Sequence, residues 1–509
     1  MKIQNSIILF CILISFSVQS QTSVPVISLN PNEIISGEFI GNGIEFSAYP
    51  HADTDDSEWG KLMTDKKWQQ VFDRVSFIKP KIARVMDQAN WRYLKGFDVS
   101  GNPIVDFESE QMKALYKLLD YCEKNKIIVI LGEWGQPYKV HDTYLNLQNS
   151  FTGANDPKWI DLIVKNLNHL INIKKYSCIK YYNLVNEPNG YWATTDGDWQ
   201  QWKEGVKMLH QAIGKAGLDK SISIIGPDAT SYNNPKSKYE GLDWVKQTAL
   251  QIPHLVSAYD VHDYPSKESI RSGEFQKTFE ALVQFTDSTQ RKPFILGELG
   301  IKGDSSSKEH LGDQFTSVDS QLSVYDYDYG VDMADALIQS MNSGFDAVIA
   351  WDLDDAMHTK DDKGDKHQLK RWGMFNSLGT ELTNNSADEN LRPWFYTWSI
   401  MTRYFSGDMA IVKINDLNFE KVRATAGVTK SGDFTIAVVN NSDKEARFII
   451  RTKNMKLKSK LIKYLYSENN RPVNSKGYPV PSEKINLKDN GISVLIPAKS
   501  VILYTSYKK

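Results

Sequence analysis

Cysteine is scarce: the 509-residue chain holds three, and one of them, Cys11, lies in an apolar run near the N-terminus. The other two, Cys122 and Cys178, fall into no C-x-x-C or Cys/His spacing, so the residues propose neither a zinc site nor a disulfide-framed fold. Each sits in or beside an apolar, regular pattern and reads as a buried thiol rather than half of a bridge. Charge of one sign is lacking too. A formal net charge of -2 supplies no basic surface for nucleic acid or an anionic membrane, so the expected partner is neutral or chosen by local groups. Long apolar runs are missing except at the N-terminus. There Ile7–Phe16 is too short for the ~20 residues a membrane span needs. Preceded by Lys2 and followed by Val18-Gln19-Ser20, it is expected to be a signal peptide over 1–20, directing the chain to the periplasm or the medium. Cys11 lacks the small residues that precede a lipoprotein cysteine. No solenoid-period repeat and no long low-complexity tract occurs.

What is present is alternation. Short β-type runs at Ile44–Tyr49, Ile82–Asp87, Ile127–Glu133, Ile179–Asn186, Ser221–Gly226, Ala258–His262, Pro293–Glu298 and Ala347–Asp352 are separated by helical patterns such as Glu110–Lys124, Trp159–Ile173 and Trp199–Ala216. The β-type runs are nearly continuously apolar, as expected for strands covered on both faces. Eight such units predict an α/β fold, a (β/α)8 TIM barrel over 21–405. After the aromatic helix Trp394–Phe405 the pattern becomes all strand, with turn signals at Ser431-Gly432-Asp433, Asn440-Asn441 and Asp489-Asn490-Gly491. Residues 406–509 therefore predict a small all-β, antiparallel sandwich, to which Val24–Ile40 is a candidate extra strand.

In such a barrel the functional face lies where strands end and loops to helices begin. The fourth β run ends in Asn186-Glu187 and the seventh in Glu298, nearly opposite each other. Two facing carboxylates are what glycosidic cleavage requires: one protonates the leaving oxygen, the other attacks the sugar or activates water. Around them the strand ends bring His262 and Tyr264 from the sixth run, Arg84 from the second and Trp351 from the eighth. An arginine and a tyrosine hydroxyl favour an ionised glutamate, and an indole offers a platform to the C–H face of a sugar. Glu133, Trp134 and Trp192 are further candidates for substrate contact. The run Tyr325–Tyr329 has two readings, packing its own loop or touching sugar. The acidic stretch Asp352–His367 lacks the ligand spacing of a calcium loop and reads as solvated. No cofactor is expected.

The segments "NLVNEP", "VHDY", "ILGELG" and "IAWDLDD" together resemble clan A of the glycoside hydrolases, which includes the cellulase and mannanase family and the β-xylosidase family. The resemblance covers Gly41 to about Phe405, and the trailing sandwich is similar to an accessory domain of several members. It implies a retaining double displacement with Glu187 as general acid/base and Glu298 as nucleophile. It further implies that Asn186 bonds the sugar 2-hydroxyl, that Tyr264 and Arg84 orient the nucleophile with His262 nearby, and that Trp351 floors the subsite of the non-reducing sugar. One departure stands out: where the cellulase family usually brings a histidine from the third strand, this chain has Glu133-Trp134. The rival reading is a carbohydrate-binding barrel without catalysis, against which the presence of both carboxylates argues. Long loops after strands three, seven and eight (Gln136–Asp156, Ile301–Gly330, Leu353–Asn390) are placed to shape the cleft.

Overall fold

The computed structural model describes residues 24–135, 151–303, 314–415, 417–454, 456–487 and 491–508. The expected signal segment, most of the loop after the third strand, the middle of the loop after the seventh and the turn residues Asp489-Asn490 lie outside them.

Eight parallel strands form the barrel: Gly43–Glu45, Ile82–Asp87, Ile128–Glu133, Ile179–Asn183, Ser223–Ile224, Tyr259–Asp263, Phe294–Leu299 and Ala347–Ala350. The first pairs with the second and the eighth, and the Ile225–Ala258 bridge joins the fifth to the sixth, so the sheet closes. Along Ile82–Asp87 the period-two alternation of a strand divides the side chains. Ala83 and Val85 pack outward among the helices, whereas Ile82 joins Ile130, Ile225, Ile295 and Ile349 in a plug inside the barrel. Arg84, two residues above Ile82, therefore points inward over that plug.

Several strands are shorter than the apolar runs suggest. The fourth leaves its ladder at Asn183, and Glu187 takes φ +47°, a left-handed conformation that turns the chain away from the sheet axis at the barrel mouth. The surrounding helices are capped as their sequences require: Thr64 accepts from the Lys67 N–H to start Asp65–Ile78, and Asp198 does the same for Trp199–Lys215 through Gln201. Cys122 and Cys178 are buried and unbridged, and burial pushes the Cys122 thiol up to about 12.

The second unit is a nine-stranded sheet folded on itself. Val26–Ser36 is inserted third from one edge, antiparallel to Met409–Asn415 but parallel to Ala446–Thr452, so the expected purely antiparallel arrangement is corrected at that one pair. Alternation along its strands fills two cores. Ile436, Val438, Ile502 and Tyr504 face the interior of the sandwich, while Ala437, Val439, Val501 and Leu503 join the barrel's core. The barrel side of this contact comes from helices Tyr327–Ser343 and Pro393–Tyr404. Tyr466 stacks on Tyr327 at 4.7 Å, Tyr464 and Tyr404 share a 2.7 Å hydroxyl contact, and Asn441 donates to both Asp332 and Asp335. The run Tyr325–Tyr329 thus packs the fold: Tyr325 meets Arg392 and Asp388, and Tyr329 lies buried against Trp394. Of the acidic stretch Asp352–His367, the first half, Asp352–Thr359, is buried rather than solvated, whereas Lys360–His367 is mostly exposed as expected. Asp354 accepts from Tyr49, and Asp355 is held by Arg392, because the loop folds back onto the mouth and must compensate the charges it buries.

Candidate active site

The strand ends converge on a cleft of about 380 Å³. Trp134, Asn186, Glu187, Trp192, Tyr264, Glu298 and Trp351 line it. Glu187 and Glu298 come from the fourth and seventh strand ends, and one oxygen of each lies within 4.8 Å of the other and of a His262 ring nitrogen.

The two carboxylates have different surroundings. Glu298 is almost wholly buried and receives the Arg84 guanidinium on Oε1 and the Tyr264 hydroxyl on Oε2, with His262 Nδ1 3.5 Å from the latter. Burial pushes the Glu298 carboxyl above its ordinary value, while His262, Arg84 and the Tyr264 hydrogen bond pull it down. Glu187 faces the cleft. It touches His262 Nδ1 at 3.1 Å through Oε1 and accepts the Trp192 indole N–H at 2.5 Å on Oε2.

Beneath this pair runs a buried charge network. Arg84 Nη2 donates to Asn186 Oδ1 at 2.5 Å and to Asp228 at 3.0 Å, which fixes the amide that precedes Glu187. Asp228 also accepts from Asn183 at 2.6 Å and faces His262 Nε2 at 2.9 Å. Burial opposes charge on His262, yet Asp228 and Glu298 hold its pKa well above the ordinary histidine value, which favours the imidazolium. Burial works against Asp228 as well, and Arg84 followed by His262 holds it far below the usual carboxylate range. Asp260, buried beside Asp228, is driven the other way, by burial and then by that neighbouring charge, which favours its neutral form. Glu187, His262 and Glu298, and likewise Asp228, Asp260 and His262, are close enough to share a cation, but Arg84 already compensates a carboxylate in each set.

Arg84 and His262 therefore sit under the cleft and act on the carboxylates rather than lining it. Glu133, expected to touch substrate, does neither. It is buried below the rim, where the Tyr93 hydroxyl and the Ala89 N–H occupy its two oxygens, and burial pushes its carboxyl up to about 8. Glu133 is the last residue of its strand, and the next residue, half-buried Trp134, lines the cleft instead. Trp134 and Trp351 meet edge to face at 6.3 Å, and His358 stacks behind Trp351 at 4.8 Å, held between Glu45 and Asp362.

Some residues of the site escaped sequence reading, one beneath the cleft and others lining it. Asp228 follows the fifth strand directly, in Gly226-Pro227-Asp228, and the strand-end rule points to it. Lys302, Asp319, Lys370 and Trp372 come from the loops after strands seven and eight, where no local pattern marks them. Trp372 packs against the ring of Tyr264 at 5.2 Å.

The cellulase family model, glycosyl hydrolase family 5, matches residues 99–357, which is half of the chain and includes both glutamates. The chain belongs to that family. It is a glycoside hydrolase of clan A, and no curated protein matches it. Solved structures share the fold at low identity. A GH30 endoxylanase from Clostridium papyrosolvens C71 is 12% identical with a TM-score of 0.62, covering 95% of this chain and 100% of that one. The catalytic domain of GH30 xylanase C from Talaromyces cellulolyticus is 14% identical, TM-score 0.61, with coverage of 95% and 100%. A GH39 β-xylosidase from Caulobacter crescentus is 13% identical, TM-score 0.58, with coverage of 94% and 99%. These likenesses span the barrel and the sandwich together, so this family 5 member carries the two-unit architecture throughout its described length.

Proposed function

We propose that the protein is a retaining β-glycoside hydrolase that cleaves a polysaccharide or oligosaccharide by double displacement, and that residues 1–20 direct its export. The observation that carries the reading is the closeness of the two carboxylates, one oxygen of each within 4.8 Å. Retaining enzymes hold the pair at ~5–5.5 Å, whereas inverting enzymes leave ~6.5–9.5 Å for a water.

In the first step a Glu298 oxygen attacks the anomeric carbon while Glu187 passes its proton to the departing glycosidic oxygen, leaving an ester to Glu298 and a free alcohol. Arg84, Tyr264 and His262 favour the ionised form of the attacking carboxylate against the pull of burial and fix its direction. Asn186, locked by Arg84, offers its amide N–H group to the sugar 2-hydroxyl. In the second step Glu187 takes a proton from water, whose oxygen attacks the same carbon and releases Glu298. Trp351 and Trp134 present apolar rings to the sugar.

The test is a screen of aryl β-glycosides followed by trapping with the matching 2-fluoro sugar. Mass spectrometry is expected to find the adduct on the peptide bearing Glu298, and NMR to find the β-anomer as first product. A first product of inverted configuration would overturn double displacement. Export is checked separately: N-terminal sequencing of the protein made with its own leader is expected to begin at Gln21.

A further inference from the structure

Asp260 is a buried acid that the double displacement leaves unused. It stands two residues before His262 on the sixth strand, so both side chains point into the barrel, and it is 0% exposed. Among the described residues no N–H or O–H group donates to either of its oxygens. Glu187, Glu298 and Asp228, by contrast, are each met by at least two polar groups. An ionised carboxylate without a donor is among the costliest groups a protein interior can hold.

The seventh strand makes room for this acid. Strands six and seven pair in register from Tyr259 opposite Phe294 to Val261 opposite Leu296, then slip by one, so that His262 meets Glu298 and Gly297 is left over. A Cβ on Gly297 would stand 2.4 Å from Asp260 Oδ1, so only glycine lets the carboxyl lie there. The irregularity immediately before Glu298 is thus also the seat of Asp260. Seated so, an oxygen of Asp260, an oxygen of Asp228 and a His262 ring nitrogen all lie within 4.8 Å of one another.

The charged groups facing Asp260 are Asp228 after the fifth strand, His262 on its own strand and Arg84 on the second. Glu298 on the seventh strand and Glu187 after the fourth face the other ring nitrogen of His262. Two adjacent carboxylates repel, and one proton held between them removes both the repulsion and the missing donor. We infer that Asp260 is a positioning residue: it keeps its proton and donates it to Asp228, holding that carboxylate where it grips both Arg84 and His262, which in turn hold Glu298. It acts through Asp228, without lining the cleft. Burial and then the Asp228 charge favour the neutral Asp260, and the hydrogen bond between the two carboxyls works in the same direction while lowering Asp228. The role in turnover rests on the hydrolase reading above.

The experiment compares Asp260→Asn, which keeps a donor but cannot ionise, with Asp260→Leu, which has similar volume and no donor. On the best aryl β-glycoside, Asp260→Leu is expected to lower kcat about tenfold with KM changed less than about twofold, and Asp260→Asn to return kcat to within about threefold of wild type. Wild-type kcat in Asp260→Leu, or an asparagine variant as slow as the leucine one, overturns the proposal. The alkaline limb of the Asp260→Asn kcat/KM profile is expected to coincide with that of wild type. An ionised Asp260 would instead be a counter-ion that asparagine removes, and a limb displaced to lower pH overturns the donor role. Protonation is also read without substrate: the infrared difference between wild type and Asp260→Asn at neutral pH is expected to contain the carbonyl stretch of a protonated carboxyl, and carboxylate bands alone overturn it. If wild type hydrolyses no glycoside, the hydrolase reading has failed, and the infrared difference alone decides the shared proton.

Discussion

Arg84 and Glu298 are joined side chain to side chain beneath the cleft, the guanidinium fully buried. The fork of Arg84 also reaches Asn186 and Asp228, which a lysine ammonium cannot do from one position. Arg84→Lys is expected to lower kcat by ~100-fold through loss of this alignment, as removal of a preorganised donor does elsewhere. Arg84→Leu leaves Asp228 and Glu298 buried with only His262 to offset their charge and is expected to cost ~3–5 kcal/mol of stability. Steady-state kinetics and thermal unfolding read the two effects, and wild-type kinetics in Arg84→Lys would remove arginine from the nucleophile's surroundings.

His262 owes its raised pKa first to Asp228 and then to Glu298, acting against burial. Taking away the Asp228 charge lowers the pH at which the imidazolium loses its proton. The alkaline limb of the kcat/KM profile in Asp228→Asn is therefore expected to move to lower pH, with the acid limb displaced less. A profile unmoved on the alkaline side would show that His262 charge plays no part in the rate.

Glu133 is a buried acid pushed up to about 8, first by desolvation, against an ordinary value near 4.5. A carboxyl raised on folding binds more protons folded than unfolded, so its contribution is whole below the unfolded value and is lost as pH rises toward 8. Glu133→Gln imitates the neutral acid at every pH, with the Tyr93 hydroxyl turned to accept. The variant is expected to gain on wild type in Tm between pH 5 and pH 9, by several degrees. A constant difference across that range would place the Glu133 carboxyl at its ordinary value.

Tyr466 bridges the two units, stacked on Tyr327 and donating to its carbonyl at 2.8 Å. Its removal opens a cavity in a continuous core, so Tyr466→Ala is expected to cost ~3–5 kcal/mol, as large aromatic deletions do. Because the barrel core and the sandwich face are one cluster, calorimetry is expected to show one transition for the wild-type chain. Two well-separated transitions would show the units to be independent.

The barrel was legible because each strand is covered on both faces and so reads as an apolar run, and Ile82–Asp87 runs as the pattern has it. Glu187, Glu298, Tyr264 and Trp351 could be placed from strand ends alone, since the closed sheet carries those ends to one mouth. Other features depend on distant chain meeting at the site. Lys370 and Trp372 sit in a loop whose course is set by buried ion pairs such as Arg392–Asp355, which leave no periodic trace. Glu133 misled because the strand-end rule locates a residue along the axis but not its depth beneath the rim. The parallel pairing of Val26–Ser36 was hidden for the same reason as any long-range register: both edges offer it an apolar partner.

That early strand has a consequence for how the molecule is made. Val26–Ser36 is synthesised before the barrel, yet both neighbours it hydrogen-bonds, Met409–Asn415 and Ala446–Thr452, are synthesised after it. During synthesis it waits unpaired while the whole cylinder emerges, and it joins the sheet only once these two later strands have followed. Completion of the fold is thereby tied to the arrival of those two strands, and a chain terminated before them keeps a sticky, unsatisfied edge by which quality control can recognise it.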